Sequence, residues 1–174
     1  MSQTGWNNYD VEQLVQNYSD ALVRYAFCHV GDSAQAEDIM EETIATLLVR
    51  HRHFADEAHL QAYLYRVAKN KSIDILRKRK REVSLSEVED VLWGNDVENQ
   101  VIKDSLNRQI YCCMQKLPRQ YKEVLYLCYF EDFSHEDVCR IMGKSKKQVY
   151  NLLSRGKIAL KEIFIKEGIS YEDL

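Results

Sequence analysis

Apolar residues recur along this chain at intervals of three and four, the period of a helix with one buried face, and strand-like alternation is absent. The first such run extends from Asn8 to about His29, with Val11, Leu14, Val15, Tyr18, Leu22, Tyr25 and Ala26 on one side. Gly31-Asp32 interrupts it. A second helix is predicted to about Arg50, capped by Asp32 or Ser33, with Ala36, Ile39, Met40, Thr43, Ile44 and Leu47 inward. After a loop from His51 to Asp56, a third helix runs from about Glu57 to Arg81 on Leu60, Leu64, Val67, Ala68, Ile75 and Leu76. The pattern lapses over residues 82–104. It resumes from Leu106 to Lys116, with Leu106, Ile110, Cys113, Met114 and Leu117 inward. The predicted fold class is all-α: two small helical domains joined by a linker.

The stretch from Leu117 to Phe164 is the most finely punctuated. Leu117-Pro118 opens a helix, since proline is tolerated at a first helical position. Val124, Leu125, Leu127, Cys128 and Phe130 give it an apolar face, and Glu131-Asp132-Phe133 ends the pattern. Ser134 is a good N-cap, and Asp137 is placed to act as a short capping-box acid. Val138, Ile141 and Met142 face inward before Gly143, where a positive φ is easily reached. Ser145 caps the next helix, which is predicted to bury Val149, Leu152 or Leu153, Ile158 and Leu160. Two helices, a glycine turn and the small Cys139 four residues before it describe a helix-turn-helix. In that motif the second helix enters the DNA major groove with its first residues at the base edges. The candidate contacts are Ser145, Lys146, Lys147, Gln148, Tyr150 and Asn151, followed by Arg155 and Lys157. Gln and Asn can read adenine; Lys can read guanine or neutralise phosphate. The plainer alternative is a helical hairpin with a solvated basic face.

With 24 basic and 27 acidic residues the net charge is -3, whereas a free-standing DNA binder is usually basic. The charges are segregated. Glu37, Asp38, Glu41 and Glu42 crowd the early exposed face of the second helix. They suit the helix dipole or form a docking face for a basic partner. The third helix carries Arg66, Lys69, Lys71 and the run Arg77 to Arg81, with Asn70 and Asp74 between and Tyr63 and Tyr65 interleaved. Aromatic rings can stack on unpaired bases while cations hold phosphates. Residues 82–104 are acidic, with Glu82, Glu87, Glu89, Asp90, Asp96, Glu98 and Asp104 against Lys103. Fully extended, such a linker spans about 75 Å.

Several classes are disfavoured. No apolar run approaches the ~20 residues of a spanning helix, and the polar, acidic N-terminus does not read as a signal peptide. The five cysteines are odd in number and sit at apolar-stripe or small-residue positions, the ordinary buried role. No histidine–cysteine spacing suits zinc. No Ser/His/Asp set or glycine-rich phosphate loop suggests an enzyme. No metal or cofactor is expected, and the expected location is cytoplasmic.

An acidic helix face, a basic aromatic helix, an acidic tether and a helix-turn-helix, in that order, resemble the bacterial sigma-70 family of RNA polymerase initiation factors. The resemblance is to its small extracytoplasmic-function group, which has only domains two and four. It runs from about Val11 to Phe164. "QAEDIMEET" is similar to the family's polymerase-binding segment, where Asp38 and Glu42 match and Glu41 stands where glutamine is typical. "AYLYRVAKNKSIDILRKRKR" is similar to the segment that melts and reads the downstream promoter element. "LPRQYKEVLYLCYFEDFSHEDVCRIMG" looks like the upstream-element domain. The resemblance implies region 2 over residues 1–81, a linker over 82–104 and region 4 over 105–174. It implies core polymerase contacts at Asp38, Glu41 and Glu42. It implies -10 contacts at Tyr63, Tyr65, Arg66, Lys69, Asn70, Lys71, Asp74, Arg77 and Lys78, and -35 contacts on the second helix of the helix-turn-helix. Its partners are core RNA polymerase and promoter DNA; members are commonly held by an anti-sigma factor, and are monomers when free. The competing class is a dimeric helix-turn-helix regulator that is not a polymerase subunit. Lys144, Leu152 and Gly156 depart from the family pattern, which bears on the upstream sequence read.

Overall fold

The computed structural model describes residues 10–50, 52–85 and 105–169, with side chains of 83–85 and 105–108 excepted. Among the described residues there are seven helices and no strand: α1 (Val11–Val30), α2 (Ser33–Arg50), α3 (Glu57–Leu85), α4 (Ser105–Gln115), α5 (Arg119–Tyr129), α6 (His135–Met142) and α7 (Lys146–Lys166). They form two compact units, Met1–Asp96 and Val97–Leu174. Helix α3 runs four residues past the boundary expected at Arg81; the rest of the expected linker, 86–104, lies outside the described residues.

The first unit is a three-helix bundle of α1, α2 and α3. Helix α1 starts on Asp10, whose carboxylate accepts from the Glu12 amide, and ends at Gly31 with φ +67, whose N–H returns to the Phe27 carbonyl. That is the αL ending that glycine adopts without a Cβ penalty. Asp32, rather than Ser33, caps α2: its carboxylate accepts from the Gln35 amide at 2.8 Å. Six consecutive residues, Tyr25 to Val30, are buried at the end of α1. A helix apolar on all sides belongs inside, and here α2 and α3 cover it. At its other end Val11 and Val15 stay exposed, and Met40 of α2 is only half-buried, against their expected inward placement. Tyr18 bonds Glu57 at 3.0 Å, and Tyr25 packs on Tyr65 with ring centroids 4.9 Å apart. Arg79 reaches the Val30 carbonyl at 2.9 Å. The order of these contacts makes α1 and α3 parallel. Gln35–Arg79 and Glu42–Lys71 make α2 and α3 antiparallel.

In the second unit α5 and α7 pack together, with α6 and α4 against α7. Pro118 is the N-cap of α5 rather than its first helical residue. Tyr111, Met114, Leu117, Val124, Leu125, Leu127, Val138, Ile141, Val149, Leu153 and Phe164 form the core. Of the pair Leu152 and Leu153, Leu153 is the buried one; Ile158, expected inward, is exposed. Cys112 is also exposed, unlike the expectation for every cysteine. Gly156 is buried where α7 crosses α5. A Cβ there would lie 3.3 Å from Leu125 Cδ1 and 3.4 Å from Tyr121 Cβ. The glycine costs about 1 kcal/mol of helix propensity and lets the backbones approach. Helix α7 closes at its far end in a Schellman motif: Gly168 has φ +70, and the Ile169 amide bonds the Phe164 carbonyl at 3.0 Å. The chain is thereby built in through Ile169.

Gly143 has φ +64, and a Cβ added there would meet nothing within 4 Å. Its requirement is conformational, not steric. Gly143→Ala should lower the stability of this unit by about 1–2 kcal/mol, and Gly143→Asn by less, in urea titrations followed by circular dichroism. Equal stability of all three would show that the turn does not need left-handed backbone.

Candidate nucleic-acid interface

Helices α2 and α3 lie side by side, and the acidic and basic faces meet along that seam. Asp38, Glu41 and Glu42 are all exposed on α2. Asp38 and Glu42, one turn apart, share a face. Glu42 is also bonded to Lys71 at 2.7 Å, the two side chains being 65% and 26% exposed. One expected polymerase contact thus holds one expected DNA contact. Two turns along the seam, Arg79 bonds Gln35 at 2.6 Å and the last carbonyl of α1.

On α3 the expected DNA residues separate by orientation. Arg66, Asn70, Asp74, Arg77 and Lys78 are exposed, with Lys69 and Lys71 half-buried. Asp74 lies 3.8 Å from Arg77 within one turn. Tyr65 does not join them. It is fully buried against Tyr25, so the expectation that it stacks on bases is corrected. Positions 63 and 65 are about 200° apart around a helix of 3.6 residues per turn. Both could not face one ligand. Tyr63 is half-buried, under Phe54 at 5.2 Å and the Arg52 guanidinium at 5.2 Å. Arg79, in the middle of the basic run, is a structural cation and not part of an open face.

On the second unit, α6 keeps its own charges paired. Arg140 bonds Asp137 at 2.7 Å and Glu136 at 3.0 Å. The other Asp137 oxygen takes the Ser134 hydroxyl at 2.6 Å, so this short acid does not close a capping box on the Ser134 amide. The capping box stands on α7. Ser145 Oγ accepts from the Gln148 amide at 3.3 Å, and Gln148 Oε1 accepts from the Ser145 amide at 2.9 Å. Bidentate reading of adenine needs that same Oε1 to accept from the base. In the free protein Gln148 thus serves as a cap together with Ser145, a bond that uses one of the two Oε1 lone pairs and neither of its N–H donors. The spacing S-x-x-Q was the available signal.

Lys146, Lys147, Tyr150, Asn151, Arg155 and Lys157 are exposed along α7. Lys157 sits 5.2 Å from the Tyr129 ring centroid, and hydrogen bonding to Tyr129 pushes its pKa up, so it is held charged. Tyr150 bonds His135, the first residue of α6, at 3.1 Å with ring centroids 4.8 Å apart. His135 carried no functional expectation. Burial pushes the Cys128 thiol up, against the lowering influence of Lys157, and it stays protonated beneath α7. Among the described residues no group of three or more His, Cys, Asp or Glu could hold a metal, and no helix is long and apolar enough to cross a membrane.

A three-helix unit with abutting acidic and basic faces, followed by a capped helix-turn-helix unit, defines a two-region transcription initiation fold. The family model for sigma-70 region 2 matches residues 14–82, and that for sigma-70 region 4 matches residues 107–160. The chain belongs to the sigma-70 family, in its extracytoplasmic-function group, and is a sigma factor. It is similar to the ECF RNA polymerase sigma factor SigM of Bacillus subtilis, 27% identical over 163 residues, covering 93% of this chain and 99% of SigM. It is 26% identical over 160 residues to SigW of the same organism, covering 86% of each. The fold is similar to that of the sigma factor RpoE from Bartonella quintana, solved in complex with the anti-sigma factor NepR. There the TM-score is 0.69 at 22% identity, over 88% of this chain and 95% of that one. It is also similar to CnrH, solved with the cytosolic domain of CnrY, with a TM-score of 0.65 at 18% identity, over 90% and 88%.

The two kinds of cation on α3 are separable. Arg79→Ala should destabilise the first unit by about 1–3 kcal/mol, because a charge-assisted bond to a helix-end carbonyl is lost. Lys78→Ala should change stability by less than about 0.5 kcal/mol. Thermal or urea unfolding of both variants checks this, and equal effects would refute the distinction.

Proposed function

We propose that this sigma factor docks on core RNA polymerase through Asp38, Glu41 and Glu42 on α2, holds opened -10 DNA on α3 and reads the -35 element with α7. The observation that carries this is the segregation of charge onto adjoining exposed faces, acid on α2 and base on α3, with a further row of exposed cations on a capped recognition helix. On α3 the DNA face is Arg66, Lys69, Asn70, Lys71, Asp74, Arg77 and Lys78, with Tyr63 at its edge. Unstacking a base into this region costs a few kcal/mol and can itself confer selectivity. On α7, Lys146, Lys147 and Asn151 lie in the first two turns, where side chains reach base edges. Arg155 and Lys157, a turn or more later, suit phosphates. Region 2 corresponds to residues 1–81, region 4 to 105–174, and the acidic segment 82–104 tethers them. The factor acts in the cytoplasm as a monomer until it joins polymerase. An anti-sigma partner belongs to this reading, supported by the RpoE–NepR complex of a protein of the same fold.

Changing Asp38 and Glu42 together to Lys should abolish binding to core polymerase while leaving helicity and melting nearly unchanged; unimpaired binding by a pull-down titration would sink the docking assignment. Replacing Arg77 and Lys78 by Ala should weaken promoter opening and flatten its dependence on salt, because fewer counterions are released. An unchanged salt slope would mean that these charges only solvate the helix. In a promoter library transcribed by holoenzyme, Asn151→Ala should relax one upstream base pair by about 1–3 kcal/mol. Arg155→Ala should weaken all upstream sequences alike. Neither should move the downstream preference.

A further inference from the structure

Tyr150 stands in the second turn of α7 and is 53% exposed. Its hydroxyl is 3.1 Å from Nδ1 of His135, and the two rings meet edge to face with centroids 4.8 Å apart. His135 is the first residue of α6 and is itself exposed, so the pair closes no core. It joins the first turn of α6 to the second turn of α7 across the solvent-facing side. Neighbouring groups are already committed: Ser134 and Asp137 to each other, Glu136 and Asp137 to Arg140, Gln148 to Ser145. His135 and Tyr150 are left to hold one another.

A lone phenol hydroxyl rotates, and can donate to a base or accept from one. It therefore discriminates poorly between a base edge that presents an acceptor and one that presents an amino group. A hydroxyl held by an imidazole nitrogen cannot rotate in this way. If it donates to Nδ1, its lone pairs remain for an amino group of adenine or cytosine. If Nδ1–H donates to it, its own hydrogen remains for an acceptor on guanine, adenine or thymine. The first arrangement leaves only acceptor sites toward the groove, the second directs the remaining hydrogen away from the imidazole, and in both the ring contact fixes the direction in which the phenol points.

We propose that His135 is a positioning residue for promoter reading: it orients Tyr150, and through it sets the preference at one upstream base pair. The inference rests on the reading of α7 as the -35 helix. His135 need not touch the base.

The experiment is transcription by holoenzyme from a library randomised over the upstream element, with His135→Ala, Tyr150→Phe, the double variant, His135→Asn and Asn151→Ala. Asparagine places an amide near the position of Nδ1. Tyr150→Phe and His135→Ala should each weaken the preference at the same single base pair by about two- to tenfold, the worth of one hydrogen bond. The double variant should add nothing further, and His135→Asn should restore most of the preference. The idea is overturned if His135→Ala lowers all upstream sequences equally, shifts a different base pair from Tyr150→Phe, or adds fully to it. It is also overturned if Tyr150→Phe changes no preference. In that last case Asn151→Ala in the same library separates the outcomes: a shift with Asn151 leaves the -35 reading of α7 standing, and no shift with either removes both. Thermal melting of each variant excludes a general loss of folding as the cause.

Discussion

Arg79 holds the first unit in the form that makes it useful. Its guanidinium bonds the last carbonyl of α1 and the side chain of Gln35 near the start of α2, so one side chain joins three helices. Cation and helix C-terminus are electrostatically matched. The position matters because apolar packing thins along α3: Leu60, Leu64 and Ala68 are buried, whereas Ile73, Ile75 and Leu76 are only half-buried. Past Ser72 the helix is held as much by polar bonds as by its core. With that end pinned, Arg77 and Lys78 are turned outward and the basic face has a fixed direction. The exposed Glu42–Lys71 pair on the same seam differs in kind. Exposed pairs contribute about 0–1 kcal/mol, so it can open at little cost when either member finds another partner.

The second unit depends on a close approach instead. Gly156 lets α7 lie against Leu125 and Tyr121 of α5, while Val149 and Leu153 before it and Phe164 after it anchor the same face. The far end is fastened by the Schellman turn and by Lys116 bonding Glu167 at 2.6 Å. The near end is fastened by the Ser145–Gln148 capping box. A helix held along its length and at both ends presents Lys146, Lys147 and Asn151 from a rigid support, so little ordering remains to be done when DNA is bound. The glycine that departs from the family pattern belongs to this support and not to the reading surface.

Much of this was legible from spacing. The helix runs, the Gly31 and Gly143 turns and the Ser145 cap follow from period and end signals, because those signals are local. The bundle's inward residues were mostly legible too, since Leu14, Leu22, Ile39, Leu47, Leu60 and Leu64 sit on their stripes. What failed was the assignment of polar and aromatic residues that could serve either side. Tyr65 was grouped with Tyr63 by composition, although helix geometry puts them on different faces. Arg79 looks like its neighbours in a run of five cations; only the position of the α1 C-terminus singles it out, and that is a tertiary fact. Gln148 carries a sequence signal for capping beside its chemistry as a base reader, and the capping bond forms in the free protein because its partner is three residues away. His135 had no local signal at all. Its partner is fifteen residues on, across the turn.

The net charge of -3 is consistent with such a factor once the faces are located. A chain that bound promoter DNA by itself would need its cations uncompensated, since phosphate binding draws on displaced counterions. Here one cation of the α3 face is occupied by an acid of the adjoining α2 face, and Arg140 is occupied twice over on α6. On the proposed reading, Glu42 exchanges its partner for a basic group of polymerase at docking, and Lys71 becomes available to a phosphate at the same moment. Internal neutralisation of this kind weakens the free protein's hold on nucleic acid without removing a single DNA-binding residue. It ties the strength of the downstream contact to the presence of the enzyme that must use it.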